Sequence, residues 1–253
     1  MDVKITNFCD MACAYCHENS NKDGLHGNIL QAEFINTLHS FTELAIGGGN
    51  PLSHPDLIPF LENLKKKHVL ANITVNQFHF EKFYPEIKDL ISEKLVWGVG
   101  VSFTKYSDNL LRILSENPNT VLHVINGVVN QKELEYLYNK NLKLLILGYK
   151  MFRKGNDFYS PSVEEKKMLM YENLEEILKS FSVVSFDNLA IEQLRVKRFL
   201  SKEKWNEFYM GDDGKYTIYI DMVKQEFARS STSTKRYGLL PNVVDMFNVV
   251  RSE

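Results

Sequence analysis

The chain has three cysteines, Cys9, Cys13 and Cys16, which follow the pattern C-x3-C-x2-C within eight residues. No other residue can supply a fourth thiolate. Ferredoxins usually bind each iron of a cubane [4Fe–4S] cluster with one cysteine. Three thiolates on a tight loop would hold three irons and leave the fourth open to an outside ligand, as catalytic metal sites do. The pattern therefore indicates chemistry at a cluster rather than simple electron storage.

Zinc is the alternative metal for this loop. The cysteines and His17 contain the donor atoms of a tetrahedral Cys3His site. Zinc sites of that kind usually place their ligands in two pairs, separated by about a dozen residues or more. Four ligands within nine positions would be unusual. The spacing favours the iron–sulfur interpretation and leaves zinc as the competing one.

Composition restricts the class of protein. The chain has 253 residues, of which 44% are hydrophobic and 25% are charged, and its formal net charge is −2. These values are typical of a globular protein and predict no extended nucleic-acid surface. No apolar run approaches the roughly 20 residues that a membrane span needs. Clustered, odd-numbered cysteines without a secretory signal predict a cytoplasmic, oxygen-sensitive protein.

Strand and helix patterns alternate along the first 200 residues or so. Short apolar runs predict strands at Val3–Thr6, Glu43–Ile46, Val69–Val75, Val96–Ser102, Val121–Asn126, Leu142–Leu147 and Val183–Phe186. Three- and four-residue apolar spacing predicts helices at Leu30–Phe41, Asp56–Lys67, Phe80–Glu93, Ser107–Asn117, Gln131–Asn139 and Val163–Phe181. This order predicts an α/β fold with parallel strands and right-handed crossovers, which can curl into a partial or complete barrel. Functional residues are then expected on the loops at the carboxyl ends of the strands.

The pattern changes after about residue 200. Gly211–Gly214 is a turn signal, and the alternating runs Lys215–Ile220 and Val223–Ala228 predict a β-hairpin. Val243–Val250 predicts a closing helix. We therefore expect a barrel core at 1–200 and a cysteine-free hairpin and helix extension at 201–253.

A second motif follows the second predicted strand. It reads Ile46-Gly47-Gly48-Gly49-Asn50-Pro51, and it places three consecutive glycines at the carboxyl end of the strand. Glycine allows positive φ and close approach of the backbone to a ligand. A flexible turn is the simpler explanation, but a segment that ends a strand and is followed by Pro51 is not typical of a flexible linker.

The two motifs together resemble the radical S-adenosylmethionine (SAM) superfamily. Tyr15, directly before the third cysteine, fits its cysteine motif, and the glycine segment fits its position after the second strand. The resemblance covers about residues 2 to 200, and Val124–Asn130 is similar to the molybdenum-cofactor cyclase and peptide-modifying branches. It implies a partial (β/α)6 barrel, a [4Fe–4S] cluster on the cysteines, and SAM on the fourth iron. Reductive cleavage of SAM would then yield a 5′-deoxyadenosyl radical that abstracts hydrogen from a substrate.

The resemblance also implies which residues bind SAM. They are Tyr15, Gly47, Gly48, Gly49, Asn50, Pro51, Asn76, Ser102 and Asn126. Asn50 departs from the family, which usually carries an acid at that position. A neutral amide lacks the charge-assisted part of a hydrogen bond to the SAM ammonium, so weaker binding or a locally different site is expected.

Substrate and partners are less specified. The family branch implies a peptide or small-molecule substrate and a low-potential electron donor of the flavodoxin or ferredoxin type. Tyr15-Cys16-His17 also occurs in activators of glycyl-radical enzymes, which is one alternative function. A metal-binding scaffold without catalysis is another, and Asn50 is its best support.

Gly148–Lys150 is expected at the barrel mouth, with Met151–Pro161 as a candidate lid.

The extension carries one further resemblance. Gly211–Tyr219 is similar to the hairpin of auxiliary-cluster domains in peptide-modifying members of the family. Every ligand cysteine is missing from this segment. We therefore expect a capping role without a second cluster.

Overall fold

The computed structural model describes residues 1–253 and contains one ten-stranded sheet. Seven parallel strands lie side by side in chain order: β1 Asp2–Thr6, β2 Glu43–Gly48, β3 Leu70–Asn76, β4 Gly98–Ser102, β5 Thr120–Ile125, β6 Lys143–Leu147 and β7 Val183–Phe186. Three short strands extend the sheet beyond β1: β8 Tyr219–Asp221, β9 Glu226–Ala228 and β10 Tyr237–Gly238. The predicted α/β class and its mostly parallel sheet are confirmed. The outermost strands β7 and β10 do not pair with each other, so the sheet stays open.

Ten α-helices connect or flank the strands. They are α1 Leu57–Lys66, α2 Gln77–Lys82, α3 Tyr84–Ser92, α4 Asp108–Glu116, α5 Gln131–Glu135, α6 Lys154–Phe158, α7 Pro161–Ser180, α8 Asn188–Gln193, α9 Lys202–Phe208 and α10 Val243–Arg251. Short 3-10 helices occur at Ile29–Gln31, Glu33–Thr37, Pro51–Ser53 and Val196–Phe199. No helix combines the length and the apolar composition that a bilayer span requires.

Three predicted helices were wrong in extent or type. Leu30–Phe41 forms two 3-10 turns rather than an α-helix, because the backbone leaves the helical region at Ala32, where ψ is 83°. The helix predicted at Phe80–Glu93 is two helices that break at Phe83, since Pro85 cannot donate the backbone hydrogen bond that continuity needs. The helix predicted at Gln131–Asn139 ends at Glu135.

The two faces of the sheet differ in character. Alternate residues of β2 to β6 are buried in one hydrophobic core, whereas most of those between them are only partly buried. Small and polar side chains occupy this second, open face. In one row of register partners, Asn76, Ser102, His123 and Leu145 lie side by side across β3 to β6. The open face therefore offers polar groups next to apolar ones, beneath the carboxyl ends of the strands.

The extension continues the sheet rather than standing apart from it. Strand β8 pairs in parallel with β1, and β9 then returns antiparallel to β8. The hairpin is present, although its strands are shorter than the predicted Lys215–Ile220 and Val223–Ala228. Helix α10, Val243–Arg251, is the helix predicted at Val243–Val250. Its first backbone N–H, at Val243, donates to the hydroxyl of Thr37 over 3.0 Å.

Candidate active site

The cysteine loop leaves the sheet at the carboxyl end of β1. All three thiols are free and partly buried. The loop folds on itself, because the N–H of Cys9 donates to Asn21 over 2.8 Å and that of Cys16 donates to Cys13 over 3.2 Å. Ala12 takes a left-handed conformation with φ of 49°, which turns the chain between the first two cysteines.

The thiols are close enough to influence each other's protonation. Burial raises the pKa of Cys9, and the neighbouring Cys13 and Cys16 raise it further. Burial also raises the pKa of Cys13, followed by the effect of Cys16. Burial and the nearby Cys13 thiol raise the pKa of Tyr15 to about 12. Crowded thiolates repel one another, so a cationic iron centre is the kind of group that would stabilise the deprotonated set.

The chemistry of the donor set, three free thiols on one short loop, matches the ligand type of an iron–sulfur cluster. No three His, Cys, Asp or Glu side chains converge as a site for one metal ion. A tetrahedral zinc site needs all its donors at about 2.0–2.3 Å from one point. In a cubane each thiolate binds a different iron. The structure therefore gives no support to the Cys3His alternative with His17, and the three thiols on one loop fit a [4Fe–4S] group.

The glycine segment is hydrogen-bonded directly to the residues that lead into the cysteine loop. The N–H of Gly49 donates to Thr6 over 2.8 Å, and that of Asn50 donates to Phe8 over 2.7 Å. A Cβ at Gly49 would lie 2.0 Å from the carbonyl oxygen of Phe8, and one at Gly48 would lie 2.4 Å from that of Thr6. Gly48 also has a φ of 110°. These two glycines thus allow the backbones to approach, whereas a Cβ at Gly47 would meet nothing closer than Thr74 at 3.9 Å.

Asn50 is buried and caps the turn that follows it. Its side-chain oxygen accepts the N–H of Leu52 over 3.2 Å, and its carbonyl oxygen accepts the hydroxyl of Ser53. Pro51 opens the 3-10 helix Pro51–Ser53. The amide at position 50 therefore has a local structural role in addition to any contact with a ligand.

The other expected SAM residues lie at strand ends of the open face. Asn76 ends β3 and caps α2, where its side chain accepts the N–H of Phe78 over 2.8 Å. Ser102 ends β4, is partly buried, and makes no side-chain hydrogen bond within the protein. Asn126 follows β5, is 1% exposed, and donates to Gln193 over 3.0 Å. Its side-chain oxygen is buried without a partner, which is uncommon in folded proteins and marks a place for a ligand donor.

Gln193 ties the ends of β5 and β6 together. Its side-chain oxygen accepts from Asn126 and from the N–H of Tyr149, and its amide donates to the carbonyl of Tyr149. A small cleft of about 40 Å³ opens next to this junction. It is lined by Tyr15, His17, Ile125, Leu147, Gly148, Tyr149 and Lys150. The cysteine loop and the segment Gly148–Lys150 thus face one another, as expected from their places at strand ends.

The segment Met151–Pro161 contains one short helix. Helix α6 lies within it, and Tyr149 donates its hydroxyl to the carbonyl of Gly155 over 2.6 Å. The rings of Tyr15 and Phe158 lie 5.7 Å apart, edge to face. This segment therefore packs beside the cysteine loop.

His123 is a candidate that the sequence patterns missed. It lies between Ser102 and Leu145 in the register of the open face, and its ring packs against Gly100 on β4. Burial of the ring lowers the pKa of His123 to about 4, so the side chain is neutral near pH 7. A histidine within an apolar strand pattern carries no motif, and only the structure shows that its ring lies against Gly100 of the neighbouring strand.

Comparison with known proteins decides the family. A family model described as the radical SAM superfamily matches residues 3–139, which is more than half of the chain. The chain belongs to the radical SAM superfamily. It is therefore an enzyme, and membership implies a [4Fe–4S] cluster and S-adenosylmethionine as cofactors. The resemblance inferred from the cysteine and glycine motifs is confirmed.

Curated relatives match half of this radical SAM chain or less. A probable GTP 3′,8-cyclase of Methanocaldococcus jannaschii is 26% identical over 133 residues, which are 50% of this chain and 43% of the relative. A probable GTP 3′,8-cyclase of Methanococcus maripaludis strain C5 is 29% identical over 94 residues, or 34% of this chain and 31% of the relative. The matched segments thus span less than half the length of these cyclases.

Solved structures match the fold over most of the chain. Streptococcus suis SuiB bound to S-adenosylmethionine aligns with a TM-score of 0.59 at 11% identity, covering 89% of this chain and 59% of SuiB. SuiB bound to its precursor peptide SuiA aligns with a TM-score of 0.55 at 13% identity, covering 89% and 58%. At these identities the likeness concerns the fold alone.

Proposed function

We propose that this radical SAM protein reductively cleaves S-adenosylmethionine and uses the resulting radical to abstract hydrogen from a peptide or small-molecule substrate. A [4Fe–4S] cluster bound at the cysteine loop would supply the single electron that cleaves SAM to methionine and a 5′-deoxyadenosyl radical, and this radical would become 5′-deoxyadenosine by taking a hydrogen atom from the substrate. Cys9, Cys13 and Cys16 would hold three irons of the cluster. A low-potential donor of flavodoxin or ferredoxin type would supply the electron.

The connection between the two motifs carries the proposal. The backbone of Gly49 and Asn50 is hydrogen-bonded to Thr6 and Phe8, which lead directly into Cys9. A cofactor that binds both an iron and the glycine segment would therefore meet one continuous unit. Preorganised contacts of this kind reduce the ordering cost of binding.

Other residues would seat the rest of SAM. The unpaired oxygen of Asn126 can accept a hydrogen bond, and the free hydroxyl of Ser102 can donate or accept one. Tyr15, Ile125 and Leu147 provide the mostly apolar wall that a flat adenine ring prefers. Asn76 uses one lone pair of its side-chain oxygen to cap α2, which leaves its amide nitrogen and the second lone pair for SAM.

Anaerobic reconstitution tests this function. We expect about four irons and four sulfides per chain, and release of 5′-deoxyadenosine when dithionite and SAM are added. Cys13→Ala should abolish both cluster and cleavage, whereas Ser115→Ala, on the exposed surface of α4, should retain both. Stoichiometric zinc without iron, or a cluster that never cleaves SAM, would overturn the proposal and favour the scaffold alternative.

The substrate requires a separate assay. The relatives named as GTP 3′,8-cyclases suggest a nucleotide, and the fold likeness to SuiB, solved with its precursor peptide, suggests a peptide. GTP can be tested directly. An increase of 5′-deoxyadenosine above the substrate-free rate, together with loss of GTP, would favour the nucleotide. A glycyl-radical signal on a partner protein would instead favour the activating-enzyme alternative.

A further inference from the structure

Glu18 joins the cysteine loop to the C-terminal extension. It lies two residues after Cys16 and is only 8% exposed. The hydroxyl of Tyr219, on β8, donates to the two carboxylate oxygens of Glu18 at 2.9 and 3.0 Å. Residues 201 positions apart in the chain are thus in direct, buried contact.

A lysine completes this buried network. The ammonium of Lys4, on β1, lies 3.0 Å from Glu18 and 3.2 Å from Asp221, and Lys4 and Asp221 are register partners on β1 and β8. The side chains of Lys4 and Asp221 are 3% and 2% exposed. Arg153 approaches Glu18 from the segment after β6, at 3.8 Å, and also donates to its backbone carbonyl over 3.1 Å.

Stability alone is a weak reason for such a network. Removing charges from water is costly, and replacing a buried ion pair with apolar residues of similar volume is often neutral or stabilising. Buried charges that persist can instead hold elements in one arrangement. Here the arrangement in question is that of the loop that carries the cysteines.

The two ends of the loop are held in different ways. Its first half is held by the backbone bonds from Gly49 and Asn50, and by His79, which lies 2.6 Å from Asp10. Its second half depends on Glu18 and on the bond from the extension. Without the Tyr219 bond, this half would keep the contacts of Glu18 with Lys4 and Arg153 and the backbone bonds at Cys16, but it would lose its hydrogen bond to the extension.

We propose that Tyr219 is a positioning residue for the cluster, which acts through Glu18 to hold Cys16 where the third iron binds. The extension, which has no cysteine of its own, would then be an integral part of the cluster site. This inference rests on the proposed function in one respect, which is that the bound group is a [4Fe–4S] cluster. The positioning of the loop can be measured without SAM.

Tyr219→Phe removes the hydroxyl and leaves the ring in place. In the metal-free full-length protein, we expect the amides of Cys13–Asn19 to exchange hydrogen about tenfold faster or more, because a hydrogen bond to a charged group has been lost. Exchange in β3 to β6 should not change. Tyr216→Phe is the matched control, because Tyr216 lies on the same extension and is 62% exposed.

The loaded protein supplies a second measurement. After reconstitution, Tyr219→Phe should retain less iron, and the electron paramagnetic resonance signal of its reduced cluster should differ from wild type. A purely structural role would lower the unfolding temperature without this local pattern. Once Glu18→Ala is present, adding Tyr219→Phe should have little further effect, since the tyrosine acts through Glu18.

Unchanged exchange at Cys13–Asn19, iron content and spectrum in Tyr219→Phe would overturn the inference. A global loss of exchange protection in this variant would also contradict it, because the role would then be general stability. If wild type never assembles a cluster, the proposed function fails, and the exchange data still decide whether Tyr219 orders the loop.

Discussion

The imidazole of His123 lies over the backbone of Gly100, in the space that a side chain on β4 would fill. A Cβ at Gly100 would be 2.3 Å from Cε1 and 2.5 Å from Nε2 of that ring. Real Cβ atoms do not make contacts this short, so glycine at position 100 is a condition for the position of His123. The ring therefore covers Gly100 on the open face, next to the register position of Ser102.

Gly100→Ala should therefore displace the histidine ring. Overpacking of this kind typically costs about 1–3 kcal/mol, and we expect a loss of that size in the free energy of unfolding measured with urea. Gly238→Ala is the matched control, since a Cβ there would have no atom within 4 Å. Equal stability of the two variants would show that the ring can move at no cost.

The protonation of His123 should make stability depend on pH. Its pKa is lowered to about 4 in the folded protein by burial, from an ordinary value of 6.5. Between these values the unfolded chain binds a proton that the folded protein does not, so the free energy of unfolding should fall as pH falls from about 6.5 to 4. His123→Gln should make this dependence less steep, as measured by urea unfolding at several pH values. A titration midpoint near 6.5 for the His123 ring, observed by NMR, would contradict the prediction.

Gly49→Ala and Gly47→Ala form a matched pair. A Cβ at Gly49 would lie 2.0 Å from the Phe8 carbonyl, so this variant should push the glycine segment away from the cysteine loop. We expect a loss of about 1–3 kcal/mol and reduced iron content after reconstitution. At Gly47 the nearest atom is 3.9 Å away, and iron content there should stay near wild type. Similar iron content in both variants would show that the close contact between Gly49 and Phe8 is not needed for cluster assembly.

Local patterns were enough to predict much of the fold. The strands of the parallel sheet have apolar runs that are long enough to identify, and the cysteine and glycine motifs are each contained in one short segment. The helix predicted at Leu30–Phe41 was wrong because the backbone is not helical at Ala32, and apolar spacing does not record such a break. The cysteine motif predicts which loop binds the metal but not which contacts hold that loop in place.

Contacts between distant segments account for what was missed. The pairing of Glu18 with Tyr219 requires β8 to join the sheet next to β1, and no local pattern specifies that edge. The importance of His123 depends likewise on a glycine in the neighbouring strand. The role of Asn50 as a turn cap was also not evident, since a cap and a ligand contact use the same type of side chain.

Asn126→Leu should separate ligand binding from stability. The substitution removes the hydrogen bond to Gln193, which is unfavourable, and also the buried oxygen without a partner, which is favourable. These effects oppose each other, so we expect the free energy of unfolding to change by less than about 1 kcal/mol. If the oxygen accepts a hydrogen bond from SAM, the dissociation constant for SAM should rise about tenfold, measured by anaerobic calorimetry on the reconstituted protein. Asn130→Leu is a suitable control, because Asn130 is exposed and caps α5 away from the open face. Unchanged SAM affinity in Asn126→Leu would show that the unpaired oxygen serves another ligand, and the substrate would then be the next candidate to titrate against the same variant.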